Sequence, residues 1–170
     1  EFDANIHVID APVIKSHWTR YMAIDPHERT PTAVLWLAVD HKENPHIYDE
    51  LSLKDMDVKQ IADAIHAQEG GSQAMVKLID PHADKDNVVA GGFNVRKELM
   101  RYGVFTQRAN SDPMLGKAKI RQVLTPRYSA LLKKNMPQLR VSRYCTNVIY
   151  EFQHYIWDEY RRNTEEYDKK

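Results

Sequence analysis

Apolar and polar residues first alternate and then merge along the opening third of the chain. Residues 18–25, Trp-Thr-Arg-Tyr-Met-Ala-Ile-Asp, alternate and end at Asp-Pro, as a strand running into a turn does. Residues 32–40, Thr-Ala-Val-Leu-Trp-Leu-Ala-Val-Asp, are more continuously apolar and predict a second, buried strand. Asn44-Pro45 marks a turn, and residues 46–53 predict a third strand. Two short connections in succession predict an antiparallel meander.

Beyond the meander the period lengthens. Asp57 is placed to cap a helix over 58–69, with Val58, Ile61, Ala62 and Ile65 on one stripe and Gly70-Gly71 as its stop. Residues 74–79 predict a fourth strand that ends at Asp80-Pro81. A helix over 93–102 closes at Gly103, and Val104–Gln107 predict a short fifth strand. Asp112-Pro113 opens a further helix that runs to about Leu124. In the stretch that follows, Leu131–Lys134 and Leu139–Ser142 are candidates to pair around Asn135-Met136-Pro137. Val148, Ile149, Phe152, Tyr155 and Ile156 recur at helical spacing, so 146–162 predicts an amphipathic helix. A meander, a crossover helix and a further strand together imply an α/β fold: a mixed sheet with helices on both faces. The expected domain covers 18–162, after an extension at 1–17 and before a polar tail at 163–170 that frays.

Composition narrows the class. With 170 residues, 42% hydrophobic and 28% charged, the chain matches an ordinary globular domain and needs no disulfide or structural metal to fold. Its one cysteine, Cys145, excludes an internal disulfide and fits a reducing compartment. No apolar run approaches the roughly 20 residues that span a bilayer, and no signal peptide opens the chain, so a soluble intracellular protein is expected. The chain begins Glu1-Phe2 without Met, as an excised domain does. Net charge is zero, yet between Gly91 and Asn147 twelve Lys and Arg face only two acids, Glu98 and Asp112. Such an asymmetry favours a polyanion as partner of one face.

The tetrapeptide Ile-Asp-Pro-His occurs twice, at 24–27 and 79–82, each time at the end of a predicted strand. Ligands gather at such strand ends in open α/β sheets. If the two strands are neighbours, Asp25 and Asp80 converge, and their mutual repulsion is relieved by a cation between them. Hard carboxylate oxygens select Mg²⁺ or Mn²⁺. Two such ions about 4 Å apart activate a water and stabilise the leaving oxygen of a phosphodiester. The competing reading of each site is plain turn chemistry at Asp-Pro. His27 and His82 would add nitrogen ligands for a zinc site, or serve the turns alone. Glu151, His154 and Asp158 share a helical face that reads as its wet side. No GxxxxGK[ST], GxGxxG or GxSxG motif is present, Gly91-Gly92 reads as a turn, Cys145 has no evident base, and Trp18, Trp36 and Trp157 read as core or edge residues.

These residues resemble a known family, the C-terminal nuclease domain of the large terminase subunit of tailed bacteriophages. The resemblance spans most of the chain. Pro12 and Lys15-Ser16-His17-Trp18-Thr19-Arg20-Tyr21, leading into Met22-Ala23-Ile24-Asp25-Pro26-His27, are similar to the family's entry into its first nuclease strand and first metal-binding aspartate. Met75-Val76-Lys77-Leu78-Ile79-Asp80 resembles the strand with the second acid. Lys117 to Leu124, then Leu139, Tyr144-Cys145, Ile149-Tyr150-Glu151-Phe152, Tyr155 and Trp157, resemble its closing strand and helix. The resemblance implies a ribonuclease H-like fold and cleavage of double-stranded DNA with two Mg²⁺ or Mn²⁺ ions during phage genome packaging. In that picture Asp25 bridges both ions, Asp80 binds one, and an activated water attacks the phosphate in line. Lys117, Lys119, Arg121, Lys133 and Lys134 would grip the DNA backbone.

The implied partners are the packaging ATPase domain, the small terminase subunit and the portal, in the host cytoplasm, with no membrane. One departure stands out: the family's third acid, usually in an Asp-His-x-x-Asp-like stretch, has no counterpart before Lys170. It is expected beyond Lys170, with Asp168 a weak substitute. Two alternatives remain: another ribonuclease H-like nuclease, such as a resolvase or transposase core, and a non-catalytic DNA-binding or docking module of a packaging motor.

Overall fold

The computed structural model describes residues 2–27, 30–85, 93–129 and 133–155, with Lys134 described by its backbone alone. Three predicted strands form where the alternation places them: β2 (Thr19–Asp25), β3 (Thr32–Val39) and β4 (Pro45–Leu53), paired as an antiparallel meander. Ahead of them, residues 1–17 contribute a short helix α1 (Ala4–His7) and an edge strand β1 (Val8–Ile9). Helix α2 (Val58–Glu69) starts on a reciprocal cap: the Gln60 amide donates to Asp57 Oδ1 at 2.8 Å and the Asp57 amide to Gln60 Oε1 at 2.9 Å. Gly70, at φ +50°, ends it.

Strand β5 (Val76–Ile79) follows, then a 3₁₀ turn (Pro81–Asp84), helix α3 (Val95–Arg101), β6 (Gln107–Arg108) and helix α4 (Pro113–Leu124). A hairpin of β7 (Arg127–Ser129) and β8 (Lys134–Met136) precedes β9 (Arg140–Ser142) and helix α5 (Thr146–His154). No helix among the described residues is long and apolar enough to cross a membrane.

The seven-stranded sheet has the order β1-β9-β4-β3-β2-β5-β6, and only β3 runs against the others. Alternation along the central strands builds two cores. On one face Met22, Ile24, Val34, Trp36 and Ile79 pack with Ile61, Ala62 and Ile65 of α2 and Leu99 of α3. On the other, Leu35, Leu37, Ile47 and Val141 meet Val123 and Leu124 of α4 and Val148, Ile149 and Phe152 of α5. The expected mixed sheet with helices on both faces is thus present, and the second strand is buried on one face and half-buried on the other beyond Ala33.

Two expectations need correction. The fifth strand is not Val104–Gln107 but Gln107–Arg108. Val104 is needed elsewhere: its amide closes the end of α3 on Leu99 O at 2.9 Å and its side chain is fully buried. Among the described residues Leu139–Ser142 does not pair with the segment before it, of which Leu131 and Leu132 lie outside the described residues. Its strand, β9, inserts in parallel between β4 and β1, where Val141 is buried, while β8 pairs with β7. A three-residue strand carries too little period to reveal its partner. The last helix, predicted over 146–162, ends at His154 with Tyr155 extended, and Gly91-Gly92, residues 156–162 with Trp157 and Asp158, and the tail with Asp168 lie outside the described residues.

Helix α5 starts without help from its own N-cap side chain. Glu50 on β4 does this work from 97 residues away: the Asn147 amide donates to Oε1 at 2.8 Å, the Asn147 side chain to Oε1 at 3.0 Å, and the Val148 amide to Oε2 at 2.9 Å. A carboxylate on the first-turn amides also complements the helix dipole. Glu50→Ala is expected to cost about 1–2 kcal/mol, read as a lower urea midpoint with unchanged slope. A change below a few tenths of a kcal/mol would show that α5 is seated by its apolar face alone.

Candidate metal centre

Strands β2 and β5 are parallel neighbours in the register Ile24↔Ile79. Beyond the last pair, the Asp80 amide donates to Ile24 O at 3.1 Å, the bond expected when Asp25 lies opposite Asp80. Asp25 ends β2 and Asp80 follows the last residue of β5, so the two aspartates come one step past the Ile24↔Ile79 pair on neighbouring strands. Side chains alternate along a strand, so both positions lie on the face opposite Ile24 and Ile79. That is also the face of Leu35 and Leu37, because Asp25 pairs with Ala33 on β3. It is covered further along by α5 and the end of α4, yet Asp25 and Ala33 are exposed, so this end of the face lies open among the described residues.

The two carboxylates are held differently. Asp25 has no protein hydrogen-bond partner among the described residues. Asp80 caps the 3₁₀ turn: its Oδ1 accepts the His82 amide at 2.5 Å and lies 2.9 Å from His82 Nδ1. Proline at the next position suits the first turn, whose amide would have no partner. His27 goes elsewhere, for its Nδ1 accepts the Thr30 amide at 3.4 Å and its own amide donates to Thr32 Oγ1 at 3.4 Å. Among the described residues no three of His, Cys, Asp and Glu converge to hold a metal ion. What the register leaves at neighbouring strand ends is two carboxylates, and hard oxygen donors of this kind fit a divalent cation.

The basic residues lie on the elements that leave this edge. Strand β6 ends beside Asp80, with the Ala109 amide on Ile79 O at 2.9 Å, and α4 begins four residues later under an Asp112 cap. Lys119 and Arg121 of α4 are exposed, Lys117 is half-buried, and Lys133 is exposed at the β7–β8 turn. Other candidates fall away. Glu151 and His154 sit on the exposed side of α5, Trp36 is core, and Cys145 is fully buried. Burial first, then the nearby charges of Glu50 and Asp49, pushes the Cys145 thiol up to about 12, so it stays protonated and serves packing.

Nothing local in the sequence marks Asp84, the carboxylate four residues beyond Asp80. Its side chain is only 7% exposed and is held by Arg96 NH1 at 3.2 Å, by Arg108 Nε and by the Asn94 side chain at 3.4 Å. The hydrogen bond from Arg108, above all, keeps this carboxyl below the usual carboxylate range against the upward push of burial. Only the Asp-Pro-His-Ala-Asp spacing hinted that both ends of the turn carry an acid.

No protein-family model and no curated protein matches the chain. Solved structures do. The large terminase of a thermophilic bacteriophage aligns with a TM-score of 0.69 at 18% identity, over 94% of this chain and 37% of that one. The P22 large terminase nuclease domain aligns at 0.65 and 14% identity, over 91% and 77%. The g2p large terminase nuclease domain from bacteriophage SPP1, solved with bound Mn, aligns at 0.57 and 15% identity, over 88% and 78%. The chain therefore has the ribonuclease H-like fold of these terminase nuclease domains and spans about a third of the thermophilic phage's protein.

Proposed function

We propose that this chain is a divalent-metal-dependent endonuclease that cuts double-stranded DNA during phage genome packaging. The observation that supports the reading is the parallel register of β2 with β5, whose last pair, Ile24↔Ile79, stands immediately before Asp25 and Asp80 at the open end of one sheet face. Mn in the SPP1 nuclease domain supports a divalent ion as the cofactor, Mg²⁺ or Mn²⁺. Asp25 and Asp80 would hold it, together with a third acid expected beyond Lys170 or, less well, Asp168. When bound, such ions lower the barrier by polarising water and neutralising charge on the phosphate and leaving oxygen.

The chain's own residues set the stage for that chemistry. Asp25, exposed and without a protein partner among the described residues, is available as a ligand. Asp80 is oriented by the turn it caps. Lys117, Lys119 and Arg121 of α4, with Lys133 and Lys134 of the hairpin, would hold the DNA backbone without reading its sequence. In the virus this domain would act with a packaging ATPase domain, a small terminase subunit and the portal, in the host cytoplasm.

The test is Mn²⁺-dependent nicking of supercoiled plasmid by a chain extended past Lys170, followed with DNA binding over a range of salt. Replacing Lys117, Lys119 and Arg121 with alanine is expected to flatten log K against log salt by about 0.9 for each phosphate that is no longer neutralised. An unchanged slope would remove α4 from the interface. Undiminished DNA binding with no cleavage at saturating Mn²⁺ would identify a docking module instead.

A further inference from the structure

Asp80 is anchored on one side by the sheet and on the other by a 3₁₀ turn of four residues with no buried member. So short a turn has little stability of its own. Its far end is Asp84, where one carboxylate ties three elements together. Arg108 reaches it from β6, Arg96 from the first turn of α3, and Asn94 from the cap of that helix. Arg96 is itself oriented, with Nε on Thr106 O at 3.0 Å. Charge-assisted bonds of this kind are stronger and more directional than neutral ones.

We propose that Asp84 is a positioning residue: through Arg96 and Arg108 it fixes the turn that aims Asp80 at the metal. The proposal rests on the nuclease reading of Asp25 and Asp80 and deepens it. The clamp has a second effect. Engaged with Asp84, the two guanidiniums do not compete with a divalent cation for the Asp80 carboxylate. Loss of Asp84 would therefore both loosen the turn and leave Arg96 and Arg108 without the carboxylate that engages them.

The experiment uses a chain extended past Lys170, as in the nicking test, with Asp84→Asn and, as a variant that keeps the carboxylate, Arg108→Gln. Amide exchange is read at His82, Ala83 and Lys85, whose N–H groups are all bonded within the turn. It is expected to speed up about tenfold in both variants while Met22, Ile24 and Val34 stay unchanged. Mn²⁺ affinity, read by paramagnetic broadening, is expected to fall about tenfold. Unchanged exchange in the turn overturns the clamp, and faster exchange with unaltered Mn²⁺ affinity reduces it to a structural tie and overturns the positioning role. Loss of Mn²⁺ binding in Asp25→Asn upholds the metal reading separately. No broadening in the unaltered chain overturns both.

Discussion

Asp25→Asn is expected to lower Mn²⁺-dependent cleavage by about three orders of magnitude with the fold intact, a loss of several kcal/mol of charge stabilisation at the phosphate. The substitution keeps the shape of the side chain and removes one anionic ligand. Asp25 is exposed at the end of β2 and has no protein partner among the described residues, so the cost in folding stability should stay within about 0.5 kcal/mol. Asp80→Asn should behave alike, because asparagine still accepts the His82 amide as a cap. Residues that act as a unit are not additive, so the double variant should be hardly worse than either single one. Rates would be measured as plasmid nicking at saturating Mn²⁺, and folding by circular dichroism and urea titration. Wild-type cleavage in either variant would end the assignment of these two carboxylates.

Trp36→Ala carries the largest stability effect, an expected loss of about 3–5 kcal/mol. Trp36 lies on β3, flanked by β4 and β2, with 2% of its surface exposed. Its ring fills the core between the sheet and α2, and its indole N–H donates to Glu69 Oε1 at 3.4 Å. Glu69 is buried as well, accepts the Ala74 amide at 2.9 Å and pairs with Lys77. Truncation therefore opens a cavity beside a buried ion pair. Against a typical total of about 5–15 kcal/mol, such a loss brings the domain near its unfolding threshold. Trp36→Phe keeps most of the volume and gives up the hydrogen bond, so it should cost about 1–2 kcal/mol. Urea unfolding separates the two, and a loss below about 1 kcal/mol for alanine would mean that the central strand is not the structural keystone.

Much of the candidate site is legible in the sequence because its parts are local. Asp25 and Asp80 follow apolar strand residues directly, and Asp-Pro marks where each strand must stop. The caps Asp57 and Asp112 announce α2 and α4 within a residue, since a side-chain acceptor near the first helical amides is a short-range signal. Repetition of a tetrapeptide says nothing about where each histidine turns: the His27 ring accepts from the Thr30 amide, while the His82 ring stays with Asp80.

Taken alone, the chain's apolar periods and capping residues determined the meander, the crossover helix and the strand-end position of both aspartates. Only the tertiary structure decided that β5 lies beside β2, that β9 enters between β4 and β1, that Glu50 caps α5, and that Asp84 is clamped by Arg96 and Arg108. Periodicity and caps act over a few residues and leave their mark in neighbouring letters. Parallel pairing and charge clamps join residues tens of positions apart, and their partners are selected by the packing of the whole sheet.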